Sequence, residues 1–134
     1  MRCLVDTNIF LEGILEQQRA METRAFWARA EEHELFISDY TLHSIGHLLF
    51  RQRRYAAFQQ FLTDVFLNAG VRMVALLAED MEVVMSTAQR FSLDFDDAYQ
   101  HAVARKYGLA IVSFDSDFDR TEQGRRTPAE ILGS

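Results

Sequence analysis

Cysteine, lysine and proline each occur once in the 134 residues of this chain, and basic residues are outnumbered by acidic ones. The lone cysteine, Cys3, has no partner within the chain, so disulfide and cysteine-pair chemistry are excluded. On an apolar strand it reads as a small buried residue. The only lysine, Lys106, falls in mid-helix, which counts against the Asp-and-Lys arrangement of a phosphoacceptor receiver. No apolar run approaches the roughly 20 residues of a spanning helix. The amino terminus passes directly into Cys3-Leu4-Val5-Asp6 without a signal-peptide pattern, so a cytoplasmic protein with no membrane partner is expected. No Gly-rich phosphate cradle and no Ser/His/Asp arrangement stands out. The formal net charge of −6 argues against strong unspecific adhesion to nucleic acid, although several acids gathered at one site would account for much of it.

What is present fits one α/β domain spanning residues 1–134, with 49% hydrophobic residues to supply its core. Arg2 to Val5 forms a short apolar strand that stops at Asp6-Thr7-Asn8. Ile9, Phe10, Ile14 and Leu15 then recur at helical spacing. A helix is predicted from about Ala20 to His33, a strand over Leu35–Ile37, and a helix from Ser38-Asp39 through Leu49. Tyr55, Phe58, Phe61, Leu62, Val65 and Phe66 mark another helix, mostly core, with part of the stripe available to an oligomer or partner surface. Val71 to Leu76 is a third strand, and Met81, Val84, Met85 and Ala88 define the helix after it. Residues 119–126 read as a polar surface loop, and Thr127-Pro128 opens a last helical turn. The alternation predicts a short parallel sheet of about four or five strands with helices on both faces.

Everything turns on residues 93–118. Acids at Asp94, Asp96 and Asp97 begin a helix that Gly108 stops. A strand through Ile111 and Val112 follows, and Asp115 and Asp117 come where that strand ends. In an open α/β sheet, ligands bind outside the carboxyl ends of the strands. Asp6, Asp97 and Asp115 are therefore delivered to one rim, where like charges repel unless a cation sits among them. Hard carboxylate oxygens suit Mg²⁺ or Mn²⁺.

Several residues admit two roles. Asp6 either ligates that cation or caps the following helix, and Asp39 either joins it or complements a helix dipole. His43 and His47 stand at i and i+4, a possible ligand pair without a third partner beyond Asp39. Arg51, Arg53 and Arg54 either suit the carboxyl end of their helix or contact substrate phosphates, as Arg125 could.

Leu4-Val5-Asp6-Thr7-Asn8, Asp97-Ala98-Tyr99-Gln100, Ile111 to Phe118 and Thr127-Pro128-Ala129-Glu130 resemble, in order and spacing, the successive signatures of PIN-domain proteins. Within that family the chain is most similar to the VapC-like ribonuclease toxins of prokaryotic toxin–antitoxin pairs. The resemblance implies a three-layer α/β/α domain, commonly a homodimer, that hydrolyses RNA with Mg²⁺ or Mn²⁺ and is neutralised by an antitoxin. It assigns catalysis and metal binding to Asp6, Asp97 and Asp115, and matches Asp117 to a frequent additional acid.

One family acid is missing. The pattern after the second strand is a Ser, a Thr-Leu pair and then a Glu; Ser38, Thr41 and Leu42 align, and the Glu position falls on Ser44. Asp39, one helical turn earlier, is the expected substitute, and His47 lies nearly below Ser44 on the helix. The expectation is thus a metal-dependent endoribonuclease acting on single-stranded RNA. A PIN-like scaffold that binds RNA or protein without cleaving is the alternative, and another Mg²⁺-dependent phosphoryl-transfer domain is a third.

Overall fold

The computed structural model describes residues 1–133. Its sheet contains four parallel strands: β1 (Arg2–Val5), β2 (Glu34–Ser38), β3 (Arg72–Val74) and β4 (Ala110–Val112), in the order β3-β2-β1-β4. β1 is central, with Leu4 beside Phe36 on one flank and Ile111 on the other. A further parallel bridge joins Val112 to Arg126, so part of the predicted surface loop runs along the sheet edge.

Strand alternation sorts the core into two halves. Cys3, Val5 and Ile37 point into one layer, where they meet Ile9 and Phe10 of α1 (Thr7–Ile14), Phe26 of α2 (Ala20–Ala28), Ile45 and Leu49 of α3 (Asp39–Arg51), and Phe61 of α4 (Tyr55–Leu62). Leu4, Phe36 and Ile111 point the other way, onto Val84 of α5 (Met81–Phe91) and Ala98, Ala102 and Val103 of α6 (Phe95–Tyr107). The chain closes with α7 (Pro128–Leu132), opened by a Thr127–Glu130 capping box. This is the three-layer α/β/α arrangement expected from the alternation of elements.

Boundaries differ in detail from the sequence reading. The second helix stops at Ala28 and a 3₁₀ turn covers Ala30–Glu32, while the Tyr55 helix passes at Thr63 into a π-helical stretch ending at Asn68. The third strand keeps only Arg72–Val74, because it is an edge strand paired solely with β2. A 3₁₀ turn over Ser116–Arg120 takes in the first two residues of the loop expected over 119–126.

The strand order positions the site. From β1 the chain goes to β2 and β3 on one side, then crosses back to lay β4 on the other, so the switch point lies between β1 and β4. A crevice opens outside the carboxyl ends of adjacent strands whose connections leave in opposite directions. Asp6 follows β1, and Ser113 to Asp115 follow β4. α6 begins at the same rim and runs away from it until Gly108, at φ 68°, turns the chain into β4.

Candidate metal centre

Asp6 is only 7% exposed and is the best-anchored acid on the rim. Its Oδ1 accepts from the Thr7 amide and from Gln100 Nε2, both at 2.9 Å. Its Oδ2 accepts from Ser113 Oγ at 2.7 Å and from Asn8 Nδ2 at 3.4 Å. Burial pushes its pKa up; the bonds from Gln100, Ser113 and Thr7 oppose that, and the Asp115 charge adds to it. Asp6 does cap α1, yet four donors are more than a cap requires.

Those donors belong to a buried polar layer. Gln100, 1% exposed, also donates to Thr41 Oγ1 at 2.9 Å and accepts from Ser38 Oγ at 2.6 Å. Ser38 in turn caps α3 through the Thr41 amide at 3.1 Å. Ser113 Oγ accepts from the Asp115 amide at 2.9 Å and from Asn8 Nδ2 at 3.1 Å. The carboxyl ends of β1, β2 and β4 are thereby fixed relative to one another.

Above this layer, Asp97, Asp115 and Asp117 each present a carboxylate oxygen within 4.8 Å of the other two. Asp97 comes from the first turn of α6. Asp115 caps the 3₁₀ turn over Ser116–Arg120 by accepting from the Asp117 amide at 2.8 Å, which aims both side chains at Asp97. Burial, followed by the charges of Asp115, Asp6, Asp96 and Asp117, pushes the Asp97 carboxyl up to about 7. A lone acid at a helix amino terminus would be stabilised in its charged form; crowding reverses that here.

The donor set fits a small divalent cation. It is all hard oxygen, and at Mg²⁺–O lengths of 2.0–2.1 Å the ligands of an octahedron sit about 3.0 to 4.2 Å apart. Small rotations of three half-buried carboxylates bring the group into that range. Asp6 stands outside this group of three because its oxygens are held below, yet its charge is felt at Asp97.

The other candidates are placed differently. Asp39 accepts at Oδ1 from the Tyr40 amide at 2.9 Å and from Tyr99 Oη at 2.8 Å, and is not one of the converging carboxylates. Burial first, and then Asp39, pushes the Tyr99 phenol up to about 12, so Tyr99 stays protonated as that donor. Ser44 lies near Tyr40, whose phenol also feels Asp96 and Asp6, so this face of α3 does look toward the rim. His43 and His47 are exposed on α3 and join no ligand group among the described residues. Arg51, Arg53 and Arg54 sit at the far end of α3. At 1.5 Å per residue the 13-residue helix carries them about 18 Å from the rim at which it starts.

Nearer cations are Arg125, which the sequence offered as a phosphate contact, and Arg19 and Arg120, which it did not single out. Arg19 lies 4.5 Å over the Phe114 ring, and Arg120 pairs with Asp117 at 3.1 Å. Arg125 Nη1 donates to the Ser113 carbonyl at 3.3 Å, which brings that residue beside the carboxylates. Gln100 and Ser113 fall within the motifs that carry the family resemblance, but neither had a role legible in the sequence, because their partners are too distant along the chain to infer.

The fold recurs in solved structures. A toxin–antitoxin complex from Klebsiella pneumoniae is similar with a TM-score of 0.68 and 22% identity, covering 94% of this chain and 97% of that one. A sarcin-ricin-loop-cleaving VapC toxin of Mycobacterium tuberculosis gives 0.70 and 24%, covering 87% and 92%. A VapBC complex of Rickettsia felis bound to promoter DNA gives 0.70 and 12%, covering 94% and 97%. No curated protein matches the sequence significantly. The sequence model of the PIN domain matches residues 3–124, which include Asp6, Asp97, Asp115 and Asp117, and the chain therefore belongs to the PIN domain family.

Proposed function

We propose that this protein is an Mg²⁺- or Mn²⁺-dependent endoribonuclease acting on single-stranded RNA, the toxin of a toxin–antitoxin pair. The observation that carries the reading is the convergence of Asp97, Asp115 and Asp117 beside a buried, four-times-bonded Asp6. Asp6, Asp97 and Asp115 are assigned the central roles, with Asp117 as a further ligand. When bound, a divalent cation there neutralises phosphate charge and makes a water more acidic. The protein's own contribution is positional. Asp97 gives up a carboxyl proton to become a ligand near neutral pH, while Asp6 is held by Gln100 and Ser113 so that it cannot turn away. Arg125 and Arg19 face the strand's phosphates from the rim, and Arg51, Arg53 and Arg54 contact it only at a distance.

An antitoxin partner is supported by the resemblance and by an apolar cleft of about 570 Å³ that includes Phe10, Ile14, Trp27, Phe61 and Val65 in its lining, suited to an amphipathic helix. A homodimer is supported by Met73 and Leu77, exposed on edge strand β3 and just after it. No described helix is long and apolar enough to cross a membrane; action in the cytoplasm is part of the toxin reading.

The test is cleavage of single-stranded RNA with Mg²⁺ or Mn²⁺, giving 5′-phosphate and 3′-hydroxyl ends. Loss of cleavage in EDTA and in Asp97→Asn is expected; equal cutting in EDTA removes the reading. One observation favours the scaffold alternative: Ser44 replaces the family acid, and Asp39 is engaged by Tyr99. Tight RNA binding with no cleavage in Mn²⁺ would decide for the scaffold.

A further inference from the structure

The corner between α3 and α4 exposes six consecutive side chains, Phe50-Arg51-Gln52-Arg53-Arg54-Tyr55. Phe50 and Tyr55 are 53% and 55% exposed, and their rings meet edge to face at 5.1 Å. Phe50 also packs edge to face on Phe58 at 5.5 Å, so the aromatic pair is held on the core rather than loose in solvent. Arg51, Arg53 and Arg54 make no ion pair and no side-chain hydrogen bond with any described residue. Most other cations of this acidic chain are compensated: Arg2, Arg29, Arg72, Arg90, Lys106, Arg120 and Arg125 all pair with carboxylates. Uncompensated positive charge is thus concentrated beside two open aromatic faces.

We infer that this corner is a second contact site for single-stranded RNA, remote from the carboxylates, in which Tyr55 and Phe50 stack on bases and the three arginines hold phosphates. The inference rests on the ribonuclease reading and extends it. Stacking faces with neighbouring cations are what sequence-tolerant single-strand binding requires. The rim favours such a site, because Asp6, Asp94, Asp96, Asp97, Asp115 and Asp117 repel a polyanion there in metal-free protein and outnumber Arg19 and Arg125, so much of the grip must come from elsewhere. At about 3.4 Å per charge along a stacked strand, 18 Å corresponds to about five nucleotides. A second copy of the chain is a poorer occupant: a two-fold contact centred here would set three arginines against the same three.

The test is binding of a fluorescein-labelled 20-nucleotide oligouridylate to the full-length protein in EDTA, followed by anisotropy at several salt concentrations. Arg51→Glu, Arg53→Glu and Arg54→Glu combined should weaken binding at least tenfold. The combined change should also flatten the salt dependence by about two, from three lost single-strand phosphate contacts. Tyr55→Ala should weaken binding about fivefold or more with the salt slope unchanged, which separates stacking from charge. No binding by the natural protein, or equal affinity and slope in all variants, overturns the inference. So does a change of oligomeric state in sedimentation, or loss of a protein partner, with RNA affinity intact. The assay involves no cleavage. A protein that binds through this corner yet never cuts keeps the inference and loses the nuclease reading, and a nuclease indifferent to these variants does the reverse.

Discussion

Gln100 Nε2 donates to Asp6 Oδ1 at 2.9 Å across 94 positions of sequence, while its Oε1 accepts from the Ser38 hydroxyl at 2.6 Å. One amide thereby ties the end of β1 to the end of β2 from the middle of α6. It also donates to a carboxylate whose burial would otherwise drive it toward the protonated form.

Replacing Gln100 by Leu leaves Asp6 and Ser38 short of partners in a dry layer. A loss of about 1–3 kcal/mol is expected from urea melts. Because Asp6 then holds its proton to higher pH, the acid limb of the cleavage profile should move upward. A variant as stable as the natural protein, with an unshifted limb, would mean that water replaces the amide.

Asp97 carries a sign-specific prediction for metal-free protein. Its folded pKa of about 7 lies above the ordinary 3.8, so its contribution to stability is fully present below pH about 4 and is lost as pH rises through about 7. Asp97→Asn is free of that loss. In EDTA the Asn variant should melt roughly 3 °C or more above the natural protein at pH 8, with the gap narrowing through pH 5 and closing only below pH about 4. A variant that melts lower at pH 8 would make Asp97 a helix-capping residue.

Asp39 and Ser44 divide the question of the missing acid. Since Asp39 is held by Tyr99 and stands apart from the three converging carboxylates, Asp39→Asn should change Mn²⁺ affinity less than twofold. Ser44→Glu should raise it about tenfold by adding a carboxylate to the face that looks toward Asp96. Calorimetric titrations of both variants check this; tenfold weakening in Asp39→Asn would restore Asp39 as a ligand.

Much of this site could be read from local signals. An apolar strand that stops at Asp6, a helix that Gly108 stops, and a strand that ends before Asp115 are each short-range patterns, and α/β topology converts them into one rim. Asp117 joins the converging carboxylates because the 3₁₀ turn after Asp115 aims it there, a detail of turn geometry that spacing does not encode. The layer of Gln100, Ser113, Ser38 and Thr41 was illegible, since each partner lies 59 or more positions away or looks in isolation like an ordinary cap. The pairing of Asp39 with Tyr99 is of the same kind. Arg51, Arg53 and Arg54 show the opposite case: their place at a helix carboxyl end already sets them a helix length from the acids.

The central claim, that the crowded carboxylates around Asp97 are a divalent-metal site, is tested most directly by counting protons. An Asp97 carboxyl with a pKa of about 7 is largely protonated at pH 6.5 and must ionise to become a ligand. Calorimetric titration of Mn²⁺ at pH 6.5, in two buffers of different ionisation enthalpy, should report roughly 0.5 to 1 proton released per ion bound. That release should vanish in Asp97→Asn together with most of the affinity. Mn²⁺ bound with no proton release, or bound identically by the Asn variant, would contradict the site.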